Sequence, residues 1–180
     1  YADTANVQHS DMDITLSADG MAVIKMSQSS SMRQYEDKRF LVSADDKERK
    51  KYINDVMKVP DADISKMDVT LHKHSYSVPS IQIDACISSH GYANLTGSRL
   101  FVPLNPSHRS FTVPESNKVR KHDIYKDYGY LDEESITIHI PAGFALEACP
   151  HDSIYQSPFG KLVFSLSHNG NDIKVNYRLL

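Results

Sequence analysis

Leu162-Val163-Phe164-Ser165-Leu166-Ser167, the connection His168-Asn169-Gly170-Asn171-Asp172, and Ile173-Lys174-Val175-Asn176-Tyr177-Arg178-Leu179 form the stretch that decides the fold. Leu162, Phe164 and Leu166 recur every second residue, and so do Ile173, Val175, Tyr177 and Leu179. A period of two puts one dry face on each segment, because successive side chains of a strand point to opposite sides. The Asn-Gly pair between them supplies the backbone freedom of a tight hairpin turn. This predicts two antiparallel strands.

The same period extends outward toward the N-terminus. Ile136, Ile138 and Ile140 alternate with polar residues up to Pro141-Ala142-Gly143, and Phe144, Leu146 and Ala148 continue the pattern to Cys149-Pro150, predicting two more strands. Leu100-Phe101-Val102-Pro103-Leu104 is an apolar run. Ile81, Ile83, Ala85 and Ile87 form one dry face, as do Met67, Val69 and Leu71. Asp13-Ile14-Thr15-Leu16 and Met21 through Met26 flank an Asp19-Gly20 turn, predicting a hairpin. Between residues 32 and 59 the period changes. Ser43-Ala44-Asp45-Asp46 reads as a helix cap, Ile53, Val56 and Met57 share a helical face, and Val59-Pro60 ends it. Nine or ten short strands without strand-helix alternation predict a mainly β, jelly-roll-like antiparallel β-sandwich with a helical insertion at about residues 32–59. No linker breaks the pattern, so residues 1–180 read as one domain.

Composition agrees. The chain has 180 residues and a net charge of −3 at pH 7. It is long enough to bury roughly 70% of its unfolded surface without metal or disulfide staples. Twenty-two Ser and a 40% apolar content suit sheets with one wetted face. Interspersed charges and a pI near 6.3 give no field to gather nucleic acid. No apolar run of about 18 residues is available to insert into a membrane. The chain opens at Tyr1 without Met or a signal-like segment, the pattern of a processed or excised protein. A disulfide between Cys86 and Cys149 would close a loop of about 64 residues, adding roughly 4 kcal/mol by chain entropy.

The motifs that could carry chemistry are sparse. His72 and His74 are two apart on a strand and could face one metal ion, but zinc catalysis needs three protein ligands and no third is indicated. They read as surface histidines, and no metal or cofactor is expected. Cys149-Pro150-His151-Asp152 contains triad residue types side by side, where they cannot aim at one another. Asp132-Glu133-Glu134 reads as a solvated loop before a strand. Lys118 to His122 is a short basic run in an acidic chain and reads as a solvated loop or an interdomain contact, not a nucleic-acid groove. Tyr125, Tyr128 and Tyr130 form an aromatic cluster that would suit stacking on a glycan or peptide.

Gly97-Ser98-Arg99-Leu100-Phe101-Val102-Pro103-Leu104-Asn105-Pro106, Arg120-Lys121-His122, Asp132 through Phe144, Pro150, Phe159-Gly160 and Tyr177-Arg178 occur in one order. This resembles the C-terminal β-domain, a family of unknown function, that follows the catalytic core of bacterial multidomain transglutaminase-like proteins. Residues 97–180 carry the resemblance, and the first ninety residues look like its lead-in. The resemblance implies a non-catalytic accessory domain of a periplasmic, outer-surface or secreted protein, whose partner is an intramolecular transglutaminase-like core. No member of the family's Cys-His-Asp triad has a counterpart here. The alternative is a carbohydrate- or peptide-binding module using Tyr125, Tyr128 and Tyr130.

Overall fold

The computed structural model describes residues 5–73, 78–107 and 128–180. It is mainly β. Strands β1 (Val7–Leu16) and β2 (Ala22–Ser31) lead into helix α1 (Met32–Glu36), a 3-10 turn at Arg39–Val42 and helix α2 (Asp46–Val56). There follow β3 (Ala62–His72), β4 (Ser80–Ser89), the short β5 (Asn94–Thr96) and β6 (Arg99–Phe101), and then β7 (Leu131–His139), β8 (Ser153–Ser157), β9 (Gly160–Asn169) and β10 (Asp172–Leu179).

Eight of these strands make one sheet in the order β3-β4-β2-β1-β7-β10-β9-β8, and β5 pairs only with β6. The described strands therefore do not divide into the two antiparallel sheets of a jelly-roll-like sandwich. Every adjacent pair is antiparallel except β1 and β7, which run parallel in unbroken register from Val7 opposite Leu131 to Thr15 opposite His139. That seam joins two antiparallel halves of four strands each. Alternation fixes which face of a strand is dry but carries no information about its neighbour, and parallel partners are necessarily distant in sequence.

The hairpin predicted at the C-terminus is β9–β10, joined through Gly170 and Asn171 with Gly170 at φ +58°. The helical insertion is present. Asp45 caps α2, accepting from the Glu48 backbone N–H while the Glu48 carboxylate accepts from the Asp45 N–H. The expected strand at Phe144–Ala148 does not form. Pro141, Gly143 at φ +88° and Pro150 punctuate that segment, so it runs as an irregular connection from β7 to β8 despite its alternating side chains.

One face of the sheet is the core. Ile64, Ile87, Ile24, Ile14, Ile138 and Ile173 lie opposite one another across six strands, every one of them buried. The next row runs Met67, Ala85, Met26, Met12, Ile136, Val175 and Leu166. Each fully buried isoleucine contributes roughly 1.5–3 kcal/mol relative to exposure. Helix α1 packs over β1, β2 and β4, and α2 over β3, adding Tyr35, Ile53 and Met57 to the same core.

The β1–β2 turn also touches the chain beyond β4. Gly20 has φ +91°, and its carbonyl accepts from the Ala93 N–H at 2.9 Å. A Cβ on Gly20 would lie 2.3 Å from the Ala93 carbonyl oxygen. Gly170 also has positive φ, but a Cβ there would meet nothing within 4 Å. Gly20→Ala should therefore destabilise the protein by more than Gly170→Ala, whose cost is the backbone strain alone, roughly 1–3 kcal/mol. Urea unfolding midpoints of the two variants check the difference.

Candidate functional site

Both faces of the sheet carry polar constellations near the parallel seam. On the wet face, odd-numbered residues of β1 meet their counterparts on β2, β3, β4 and β7 around a groove of about 500 Å³. Asp11, Asp13, Asp68 and Asp84 set four carboxylates against the two amines Lys25 and Lys66. Much of this charge is tied within the sheet. Lys66 Nζ lies 2.6 Å from Asp68 Oδ2, and Ser27 Oγ donates to Asp84 Oδ1 at 2.6 Å. Beside the groove, His9 Nε2 lies 3.1 Å from Asp11, and Arg178 Nε 3.1 Å from Glu133.

His139 closes the end of this face. Its Nε2 lies 2.8 Å from Asp13 Oδ2 on β1, and its Nδ1 lies 2.8 Å from Asp172 Oδ1 on β10. A carboxylate only accepts, so both ring nitrogens donate and the imidazolium is the form that fits. The hydrogen bonds to Asp13 and then Asp172 hold its pKa above the usual 6.5. Lys25, opposite Asp13, and Lys174, opposite Thr137, are the flanking charges in register. The clasp ties β1, β7 and β10 together across the seam.

The inner face changes character along the strands. Where the first two rows are apolar, the central strands next present Gln28, Ser10 and Glu134 in one row, and Ser30, Gln8 and Asp132 in another. Gln8, Ser10, Gln28, Ser30 and Asp132 are buried. Helix α1 and the residues after it supply partners from above. Lys38, itself 7% exposed, donates from Nζ to Gln8 Oε1 and, at 2.5 Å, to Ser30 Oγ. Gln34 Nε2 donates to Asp132 Oδ1 at 2.8 Å, and the Gln34 N–H donates to Asn6 Oδ1 at 3.1 Å. Gln28 Nε2 donates to Ser10 Oγ at 3.0 Å, and Ser107 Oγ to Glu134 Oε1 at 2.6 Å. Beside it, burial and the Glu134 charge raise the Tyr177 hydroxyl pKa. Buried charge is tolerable only with such partners.

The sequence reading did not anticipate this network. Asp132, Glu133 and Glu134 are strand residues of β7, with Asp132 buried, rather than a solvated loop. The signal was phase. Gln8 and Ser10 continue the dry positions of Met12, Ile14 and Leu16, and Gln28 and Ser30 those of Ile24 and Met26. Reading the hairpin arms as shorter hid them.

The residues singled out from sequence are dispersed. His72 is exposed at the end of β3, while His74 and Tyr125 lie outside the described residues, as does Lys118 to His122. Among the described residues no group of three His, Cys, Asp or Glu side chains could hold a metal ion. Tyr128 is exposed, with the Arg33 guanidinium 5.7 Å from its ring centre, and Tyr130 is half-buried. Cys86, half-buried beside the groove, and Cys149, exposed before β8, are both free thiols, so the disulfide considered from sequence is not formed in this structure. Asp152 accepts the Leu166 N–H at 2.9 Å, anchoring β8 to β9. A second, largely apolar cavity of about 340 Å³ lies between the β5–β6 hairpin and residues 140–148. Arg99 Nε and Nη2 grip the Glu147 carboxylate there, each at 2.9 Å.

Two outcomes test these constellations. Because the native pKa of His139 is raised, its contribution to stability is complete below the unfolded value near 6.5 and is lost as pH rises through the native one. Unfolding free energies measured between about pH 5 and 9 should fall across this range in the native sequence and fall less in His139→Gln. Equal slopes would contradict the imidazolium clasp. Gln34→Leu, which withdraws a donor from buried Asp132, should lower the unfolding free energy by about 1–3 kcal/mol in chemical denaturation.

Comparison with known proteins adds one relation. Residues 98–180, from the start of β6 through β10, match the family model described as a domain of unknown function with solved structure, DUF3858. No curated protein and no solved structure matches the chain.

Proposed function

We propose that the chain is a non-catalytic β module of a bacterial envelope or secreted protein, packing on a transglutaminase-like catalytic core and shaping access to it. One observation carries this reading. Among the described residues, His139, the imidazole at the end of the groove, is spent on Asp13 and Asp172, and the nearby guanidiniums are likewise held in ion pairs, Arg178 with Glu133 and Arg99 with Glu147. A catalytic site instead aims such groups at one point where a reacting atom can sit. The motif order in residues 97–180 supplies the transglutaminase-like part of the proposal; the family-model match gives those residues as a domain of unknown function and no more.

The purified chain should show neither amine incorporation into glutamine peptides nor peptide hydrolysis, and Cys149→Ala should behave identically. Turnover that Cys149→Ala abolishes would overturn the reading. Extending the gene sequence outward should reveal a Cys, His and Asp core in the same reading frame, and its absence would equally count against the proposal.

A further inference from the structure

The two edges of the sheet are built differently. The β3 edge is guarded: Asp63, Lys66 and Asp68 stand along it, and its register with β4 shifts between Ile64 and Lys66. Charges and bulges of this kind keep an edge from pairing with another chain. Among the described residues the opposite edge, β8, carries no charge and no register shift; its only protections are its five-residue length and Pro158 at its end. Ser153-Ile154-Tyr155-Gln156-Ser157 and the following Pro158-Phe159-Gly160 contain no charged residue. Ile154 is 66% exposed, Tyr155 68% and Phe159 77%.

Such an edge offers unpaired backbone donors and acceptors flanked by apolar side chains, and what satisfies both is another strand. We propose that β8 is a self-association edge, at which a second copy of this chain adds its own β8 antiparallel about a two-fold axis. The occupant follows from self-complementarity. A two-fold centred on Tyr155 sets Ser153 opposite Ser157, Ile154 opposite Gln156, and Tyr155 opposite Tyr155 of the partner subunit. No charges meet in this register. Opposed aromatic residues on adjacent strands attract, and two-fold closure ends the assembly at a dimer instead of a fibre. Tyr155 is in register with Leu162, on the side of the sheet that also carries Phe164, so the dry face continues across the axis. This inference is independent of the accessory reading and makes no use of a catalytic core.

The test is the mass of the purified 180-residue chain in solution, by light scattering and sedimentation across a concentration series. A dimer of about 41 kDa, twice 20.3 kDa, is expected at high concentration. Tyr155→Lys and Ile154→Lys, placing like charges at or beside the axis on opposite faces, should each weaken it at least about tenfold. Asp68→Lys at the other edge should leave it unchanged. Both β8 positions are exposed, and the circular dichroism spectrum of each variant should match that of the native chain. A chain monomeric at every concentration, or a dimer indifferent to both β8 variants, overturns the proposal.

Discussion

The parallel contact between β1 and β7 is the constraint on which the rest of the structure depends. Each antiparallel half contains a hairpin between neighbouring strands, β1–β2 in one and β9–β10 in the other. Joining them requires residues more than 110 positions apart to find one register, Val7 with Leu131 through Thr15 with His139. A slip by one residue would turn Ile136 and Ile138 to water and Thr137 into the core. The row of isoleucines penalises that slip from the dry side. The His139 clasp specifies the same register from the wet side.

The inner polar network has the same location and so the same consequence. Gln8 opposite Asp132 and Ser10 opposite Glu134 straddle the seam, and Gln34 and Lys38 reach down to them from the helical insertion. Apolar side chains could pack here in several registers with little difference in energy. Hydrogen-bonding groups are satisfied in few, and a misplaced buried polar group is costly. The insertion therefore covers the sheet and also reads its register.

Much of this was legible in the chain itself. Period two marked β9 and β10, β4 and β7, and the stretch Ser43 to Asp46 marked the start of α2, although its cap is Asp45 paired with Glu48 and Ser43 ends the 3-10 turn before it. These features depend on neighbours a few residues away. The parallel pairing was not legible, because alternation at Met12, Ile14 and Leu16 is the same whichever strand lies alongside. Phe144, Leu146 and Ala148 alternate as a strand would, yet Pro141, Gly143 and Pro150 deny them a ladder. The polar network was legible in phase only, since Gln8, Ser10, Gln28 and Ser30 look like wet-face residues until the strands are extended and counted. The His139 clasp needed three strands to be brought together, and no local spacing announces that.

The place of the seam bears on the segment that the family model covers. The match begins at Ser98, but the strand beside β7 is contributed by residues 7–16. Among the described residues of 98–180, nothing lies beside the inner side of β7; without β1 its nine residues would have no strand partner there, with Ile136 and Ile138 beside them. A margin of that kind is a hazard for any chain that displays it. In this chain β1 removes that hazard, so residues 7–16 belong to the integrity of the C-terminal half as much as its own strands do.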